Sequence, residues 1–494
     1  MGKKKTWKIL LGLTVLSVGA GLLAGCSSSS GKDYDVYFFN GKSEIATSLE
    51  SVAKDYEKET GKKVKVFTNG TAESLETLRS ELNSKQMPTI MALNQTSITE
   101  MAEGGFALEA SKIPNEKLKG IYDSVPDNMQ LKYNGEGEYG IPYNIEGYGL
   151  IVNTQMLKDV YGLADTEQFV NDFKLADYSE FEKLIIATDD YIKGKGQEEF
   201  TLNGTTYATA GEKTDLTKNL NGVFSIAGAE KWTYGNHFTN YAANAVFPDY
   251  SSTAGATKEE VAALEEPLVK SLLEAEFLSD YAAGPNGAIT RGNDFVNSTI
   301  TGYDQAVQTF AQGKALFIKQ GNWIYSTVKT ANPEFADNLI MLPMKLNFSG
   351  EDITAKGMTV DKLNQSVAEF VSQYYVINAK ASEQEVKDAA DFLVWLNTSD
   401  EGLNYIINEF GFVPFNADES TKLDNPLSNS LISYKVAGNI LANDFDAYPA
   451  SWGLNSIGTF MMEKLFTSTE PLSESEIREG VKQSIAEWQE NISQ

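Results

Sequence analysis

Residues 35–67 read DVYFFNGKSEIATSLESVAKDYEKETGKKVKVF, and this stretch decides the fold. Asp35–Phe39 is a short run of β-formers. Ile45, Leu49, Val52, Ala53 and Tyr56 then recur at helical spacing, which predicts an amphipathic helix. Gly61 stands where a left-handed residue ends such a helix. Lys63–Phe67 is a second run of β-formers. Working outward, Leu75, Leu78 and Leu82 mark another helix, and Pro88–Leu93 (PTIMAL) a third strand. Strand, helix, strand, helix, strand predicts a parallel sheet covered by helices. Ligands on such sheets lie beyond the carboxyl ends of the strands. Asn40–Glu44 and Asn94–Ser97 are therefore candidate rim loops.

The chain has 494 residues, enough for two or three core-sized units. Aromatic residues make up 11%, which leaves some beyond the needs of a core for an aromatic-lined cleft. A formal net charge of −27 excludes a nucleic-acid partner, which needs a basic face, and a broad electrostatic grip on anionic lipid. Cys26 and His237 are the only cysteine and histidine. They exclude an intrachain disulfide and zinc sites built on several Cys or His ligands. No metal and no cofactor is expected. A literal GxGxxG at Gly135, Gly137 and Gly140 precedes a strand and runs into Pro142, so it does not open a helix toward a dinucleotide. No Walker A pattern and no GxSxG elbow is present.

Residues 1–26 read MGKKKTWKILLGLTVLSVGAGLLAGC. Lys3, Lys4, Lys5 and Lys8 precede an apolar run from Ile9 to Leu23 that is too short and too glycine-broken for a comfortable membrane span. Leu23-Ala24-Gly25-Cys26 resembles a bacterial lipobox. That resemblance implies a signal peptide over 1–25, cleavage before Cys26 and diacylglyceryl attachment to its sulfur. Two chains hold a protein stably at a membrane where one does not. Residues 26–32 then form a lipidated, Ser-rich tether. The expected location is the extracellular face of the cell membrane, of Gram-positive type.

Beyond the first sheet, residues 165–300 read as longer and more irregular, with polar and Gly-rich insertions around 193–222. Val386, Ala389, Ala390, Leu393 and Leu396 mark a helix, and Ile477, Val481, Ile485, Trp488 and Ile492 the last one. Five blocks, in order, resemble the family 1 extracellular solute-binding proteins, the maltose- and raffinose-type sugar-binding lipoproteins. They are residues 38–66, residues 87–108, YGIPYNIEGYGLIVNTQML at 139–157, GKALFIKQGNW at 313–323, and FLVWLNTSDEGL with GFVPF within 389–415. The resemblance implies an α/β, two-lobed periplasmic-binding-protein type II fold. Each lobe would be a mixed, mostly parallel sheet flanked by helices, and a hinge would join the two. It places residues 33–150 plus 317–371 in the N-lobe and 151–316 plus 372–494 in the C-lobe. It also implies an oligosaccharide ligand, membrane permease subunits of an ABC importer as partners, a monomer, and no enzymatic activity.

A sugar ring offers apolar C–H faces and a rim of hydroxyls, so its site needs flat aromatics and planar polar groups. GAEKWTYGNHF at 228–238 supplies Trp232 and Tyr234 after a short strand-like FSIAGA, as in the raffinose-type proteins it resembles. Asn322 and Trp323 close the fourth block. DAYPASWGLN at 446–455 sets Trp452 in a Pro- and Gly-broken loop. Tyr143 and Glu146 lie on the crossover, Asn40 and Asn94 follow strand ends, and Lys42 and Glu44 share the first rim loop. Trp232 and Trp452 are read as stacking platforms and Trp323 as either platform or core. Trp395 and Trp488 are read as core, and His237 as a partner for local hydrogen bonds. Three other classes stay open, one of them a structural surface adhesin, which would not close on a small ligand. A secreted glycosidase would need a carboxylate pair across the scissile bond, and 68 acidic residues do not exclude one. A receptor for a polyamine or peptide would suit the acidity.

Overall fold

The computed structural model describes residues 32–69, 74–126, 129–133 and 136–492. The leader, Cys26 and Gly135 lie outside them. Strand β1 (Val36–Asn40), helix Ala46–Thr60 and strand β2 (Val64–Thr68) realise the opening alternation. The helix buries Leu49, Val52 and Tyr56 and ends on Gly61, whose φ of 74° is the left-handed cap the sequence predicts. Strand β3 (Ile90–Leu93) follows helix Ser74–Leu82, and both β2 and β3 pair with β1 in parallel. Alternate residues serve opposite faces. Val36, Phe38, Ile90 and Ala92 enter one core cluster, while Phe39, Met91 and Leu93 enter the other.

The remaining strands are β4 (Ile141–Asn153), the hairpin β5 (Glu199–Leu202) and β6 (Thr205–Ala208), β7 (Gly222–Ser225), β8 (Ala282–Gly284) and β9 (Gly287–Ala288). Strands β10 (Ala315–Gly321), β11 (Leu339–Leu342), β12 (Val367–Ile377) and β13 (Ile440–Leu441) complete the set. One path runs β2-β1-β3-β12-β4-β10-β7-β8-β9, with β11 on β4 and β13 on β12. Two long strands carry the chain between halves. Strand β4, buried along its whole length, pairs with β12 through Ile141–Tyr148 and with β10 and β11 beyond. Strand β12 pairs with β3 at Tyr374–Ile377 and with β13 at Val367–Ala368.

This pairing reverses two of the expected segment assignments. Strand β10 joins β4's far end and β7 rather than the first sheet, so the stretch opening at 317 stays with the second half. The return is made by β12. After it, helix Glu383–Thr398 packs back onto the first half. Its Val386, Ala389, Phe392 and Leu393 share a core with Val36, Phe38 and Leu49. The Trp395 indole donates to Glu59 Oε2 at 2.8 Å, and its ring lies 5.3 Å from that of Tyr56. The cause is the apolar stripe of that helix, which fits the uncovered face of β1 and β3. Only from helix Pro426–Val436 does the chain rejoin the second half, where Tyr434 donates to the Met341 carbonyl. Residues 165–300 are also more regular than expected. They hold helices Glu167–Leu175 and Tyr178–Ile192, the second started by an Asp177–Glu180 capping box, and the β5–β6 hairpin. The last helix, Glu474–Asn491, buries Ile477, Val481, Ile485 and Trp488 as its spacing predicts.

Candidate functional site

A cavity of about 930 Å³ opens between the two halves. Its floor is the middle of β12, Glu369 to Tyr374. One wall follows the carboxyl end of β3, where Gln95 and Thr96 stand on a short 3-10 turn and Thr99 on the helix Ile98–Glu103 after it, beside Met129, Gln130 and Lys132. Asn94 starts that turn: its Oδ1 accepts from the Ser97 amide at 3.1 Å. The opposite wall is helix Tyr250–Ala254 with the segment 440–451. Asp249 caps that helix by accepting from the Ser252 amide at 2.8 Å. The site thus sits where strand order reverses, beyond the carboxyl end of a parallel strand.

Aromatic and polar groups alternate in the lining. Tyr250, Phe370, Tyr374 and Tyr448 present rings, and Gln95, Gln130 and Asn443 present amides. Phe370 also links the cavity to a wider aromatic surface. Its ring centroid lies 6.1 Å from Trp323, 5.7 Å from His237 and 5.5 Å from Phe445. Trp232 adds to this surface, 6.1 Å from Trp323, with its indole donating to Glu230 Oε2 at 3.1 Å. His237 is buried and stacked on Tyr148 at 4.1 Å. Burial, with Lys319 nearby, holds it well below the usual imidazole range, so it is neutral. Burial pushes Asp446, whose Oδ2 accepts from the Asn443 amide at 2.6 Å, up to about 6. Asp444, behind it, is pushed up to about 7 by the same cause. Burial also raises Glu369, against the pull of Lys435.

None of the eleven candidate side chains lines this cavity. Two lie on the adjoining aromatic surface, half-buried: Trp232 and Trp323. Asn40, Lys42, Tyr143 and Glu146 come together instead in a buried polar knot. Tyr143 donates to Asn40 Oδ1 at 3.2 Å, the Lys42 amide donates to the same oxygen at 3.0 Å, and the Lys42 ammonium meets Glu146 Oε1 at 2.5 Å. The knot fastens the first rim loop to β4. Glu44 lies in the 3-10 turn Ser43–Ile45, and its side chain is outside the described ones. Asn94 is exposed and spent as a cap. Asn322 is a fastener, accepting from the Gly147 amide at 3.1 Å and donating to Ser428 at 3.0 Å.

Two readings are corrected outright. Tyr234 is core, its hydroxyl on the Gly228 carbonyl and its ring 5.0 Å from Phe466. Trp452 is core too. It is 4% exposed, donates to the Ser484 carbonyl at 2.6 Å, and packs 5.2 Å from Tyr448 and 4.9 Å from Trp488. Its loop is the right one, because Asp446, Tyr448 and Ser451 line the cavity, but its ring turns inward against the last helix. Phe370, Tyr374 and Glu369 were missed because they lie in a strand that reads as interior. Tyr250 was missed because nothing around it signals a site. Among the described residues no group of His, Cys, Asp and Glu is placed to hold a metal ion, and no helix is long and apolar enough to cross a membrane.

Comparison with known proteins agrees with this architecture. Over 79% of its length the chain is 22% identical to a multiple sugar-binding protein of Streptococcus mutans, covering 77% of that protein. Over 45% of its length it is 26% identical to a maltooligosaccharide ABC transporter solute-binding lipoprotein of Streptococcus pneumoniae, covering 53% of it. Solved structures share the two-lobed α/β fold. RafE in complex with raffinose superposes with a TM-score of 0.59 at 18% identity, over 92% of this chain and 98% of that one. A cyclo/maltodextrin-binding protein complexed with maltotetraose gives 0.54 at 16% identity, over 94% and 100%. The sequence model of the bacterial extracellular solute-binding proteins matches residues 51–427. The chain belongs to that family.

Proposed function

We propose that this protein captures an oligosaccharide in the cleft across β12 and hands it to a membrane permease, without chemistry on the ligand. The observation that carries the reading is the cleft itself. It is lined from both halves by rings, amides and hydroxyls, with the carboxylates of Asp249, Glu369 and Asp446 among them, a surface of flat apolar faces and hydrogen-bonding groups that suits a polyol. Its volume of about 930 Å³ lies at the upper end of the ~300–1,000 Å³ typical of small-molecule sites, which suits several sugar units better than one. The multiple-sugar and maltooligosaccharide relatives and the raffinose and maltotetraose complexes support the same ligand class. Phe370, Tyr250 and Tyr374 are the contact rings in this reading, with Trp323 and Trp232 extending the platform. The halves act as lobes, and β4 and β12 form the hinge over which they close. Lipidation at Cys26 would hold the protein at the outer face of the membrane, next to its permease.

The test is a thermal-shift screen of the purified mature chain against raffinose, maltotetraose, tetra-N-acetylchitotetraose, spermidine and a short peptide. A ligand bound only by the native state raises the melting temperature by mass action. The expected result is a saturable rise with at least one oligosaccharide and no shortened product on chromatography. Product formation would replace the reading with a glycosidase. A rise with spermidine or peptide alone would replace it with another receptor class.

A further inference from the structure

Glu369 stands apart from the rest of the cleft. It lies on β12 beside the end of β13, one residue past the Ala368–Leu441 pair, and its side chain lines the cavity floor. It is 8% exposed. Oε1 receives the Lys435 ammonium at 3.3 Å. Oε2 is buried and has no hydrogen-bond partner. A buried carboxylate oxygen without a donor is costly, and a donor from a ligand relieves that cost. Asn443, two residues past β13, lines the same cavity with its own Oδ1 lacking a partner.

The charge lining this cavity is mostly negative. Asp249, Glu369 and Asp446 line the cavity, and Lys132 is the one cationic side chain among the described lining residues. Asp249 is engaged as a helix cap and Asp446 accepts from Asn443. The free acceptor atoms of the floor therefore face a ligand that donates.

Resting on the sugar-binding reading above, we propose that Glu369 is a specificity-determining residue of this cleft. Its free oxygen accepts a hydroxyl or amine hydrogen of the bound saccharide, and with Asp446 it excludes saccharides that carry a carboxylate. Lys435 positions the Glu369 side chain by holding the other oxygen. A uronic acid unit on this floor brings an anion against carboxylates with no donor to offer. A neutral unit satisfies Oε2, and an amine satisfies it with charge assistance.

The test uses the best binder among raffinose, maltotetraose and tetra-N-acetylchitotetraose. Its C6-oxidised carboxylate form and its C6-amino form are titrated alongside it by calorimetry at pH 8. Wild type should bind the carboxylate form at least about tenfold more weakly than the neutral one. It should bind the amine form at least as well as the neutral one. Glu369→Gln, which keeps shape and removes charge, should bind the neutral form more weakly and shrink the neutral-to-carboxylate ratio at least about threefold. Asp446→Asn should shrink it as well, and supplies the reading if Glu369→Gln fails to fold. Equal binding of neutral and carboxylate forms by wild type would overturn the proposal. So would a ratio unchanged in both variants. In either of those outcomes the sugar-binding reading survives. Absence of binding by all three neutral sugars would remove both.

Discussion

Trp452→Ala should cost stability and spare ligand binding, the opposite of what its loop context suggests. The indole is 4% exposed, and its nitrogen donates to the Ser484 carbonyl at 2.6 Å. Truncation removes roughly 200 Å² of buried surface. At ~25 cal/mol/Å² that is ~5 kcal/mol, near the ~3–5 kcal/mol typical of Trp→Ala in cores. The Ser484 carbonyl also loses its donor, for about 1 kcal/mol more. Loose repacking of Tyr448 and Trp488, whose rings stand within 5.2 Å of it, recovers part of this. The expected loss is therefore ~4 kcal/mol, a large share of a typical ~5–15 kcal/mol. Urea unfolding followed by tryptophan fluorescence reads the stability, and calorimetry with the best oligosaccharide reads the affinity of the remaining folded protein. A variant within ~1 kcal/mol of wild-type stability that has lost its ligand would refute the packing argument and return Trp452 to the binding surface.

Phe370→Ala should do the reverse, weakening sugar binding by ~1–3 kcal/mol by analogy with stacking on aromatic platforms, with little change in the urea midpoint. Asp444 carries a pH dependence: burial lifts it from 3.8 to about 7. A folded value above the unfolded one gives stability that is present at low pH and lost as pH rises through the folded value. The rise corresponds to ~4 kcal/mol between charge states. Melting temperature should thus fall between pH 5 and pH 8, and Asp444→Asn should flatten that fall. A wild-type profile flat over that range would refute the assignment. Lys42→Met should destabilise by ~3–5 kcal/mol, because Glu146, its side chain 7% exposed, would lose its cation. The double change Lys42→Met with Glu146→Leu should recover most of that loss in the same melts.

The opening β1-helix-β2-helix-β3 unit was legible because each signal is local. The apolar spacing of Leu49, Val52 and Tyr56 and the Gly61 cap act within a turn or two of chain. The last helix was legible for the same reason. The β5–β6 hairpin was also readable in principle. Asn203 and Gly204 take φ of 48° and 78° between two short runs of β-formers, the pairing that a two-residue hairpin turn prefers. What misled was reach. GKALFIKQGNW at 313–323 reads as a strand, and it is one, but which sheet receives it depends on β4 and β7, far away in sequence. The helix at 383–398 shows its apolar face in sequence without showing which sheet it covers.

Local periodicity, caps and composition determined by themselves that this is an acidic α/β chain opening on a parallel sheet, with aromatics beyond a core's need. Those properties follow from interactions between residues a few positions apart. The tertiary structure alone decided the cleft. Gln95, Tyr250, Phe370 and Asp446 meet only because β4 and β12 cross between the halves. It also decided that Trp452, in its Pro- and Gly-broken loop, turns inward onto Trp488, while Trp323, just past the end of β10, stays half-buried beside Phe370. Whether a ring faces a ligand or a core depends on which distant surface is left to cover it.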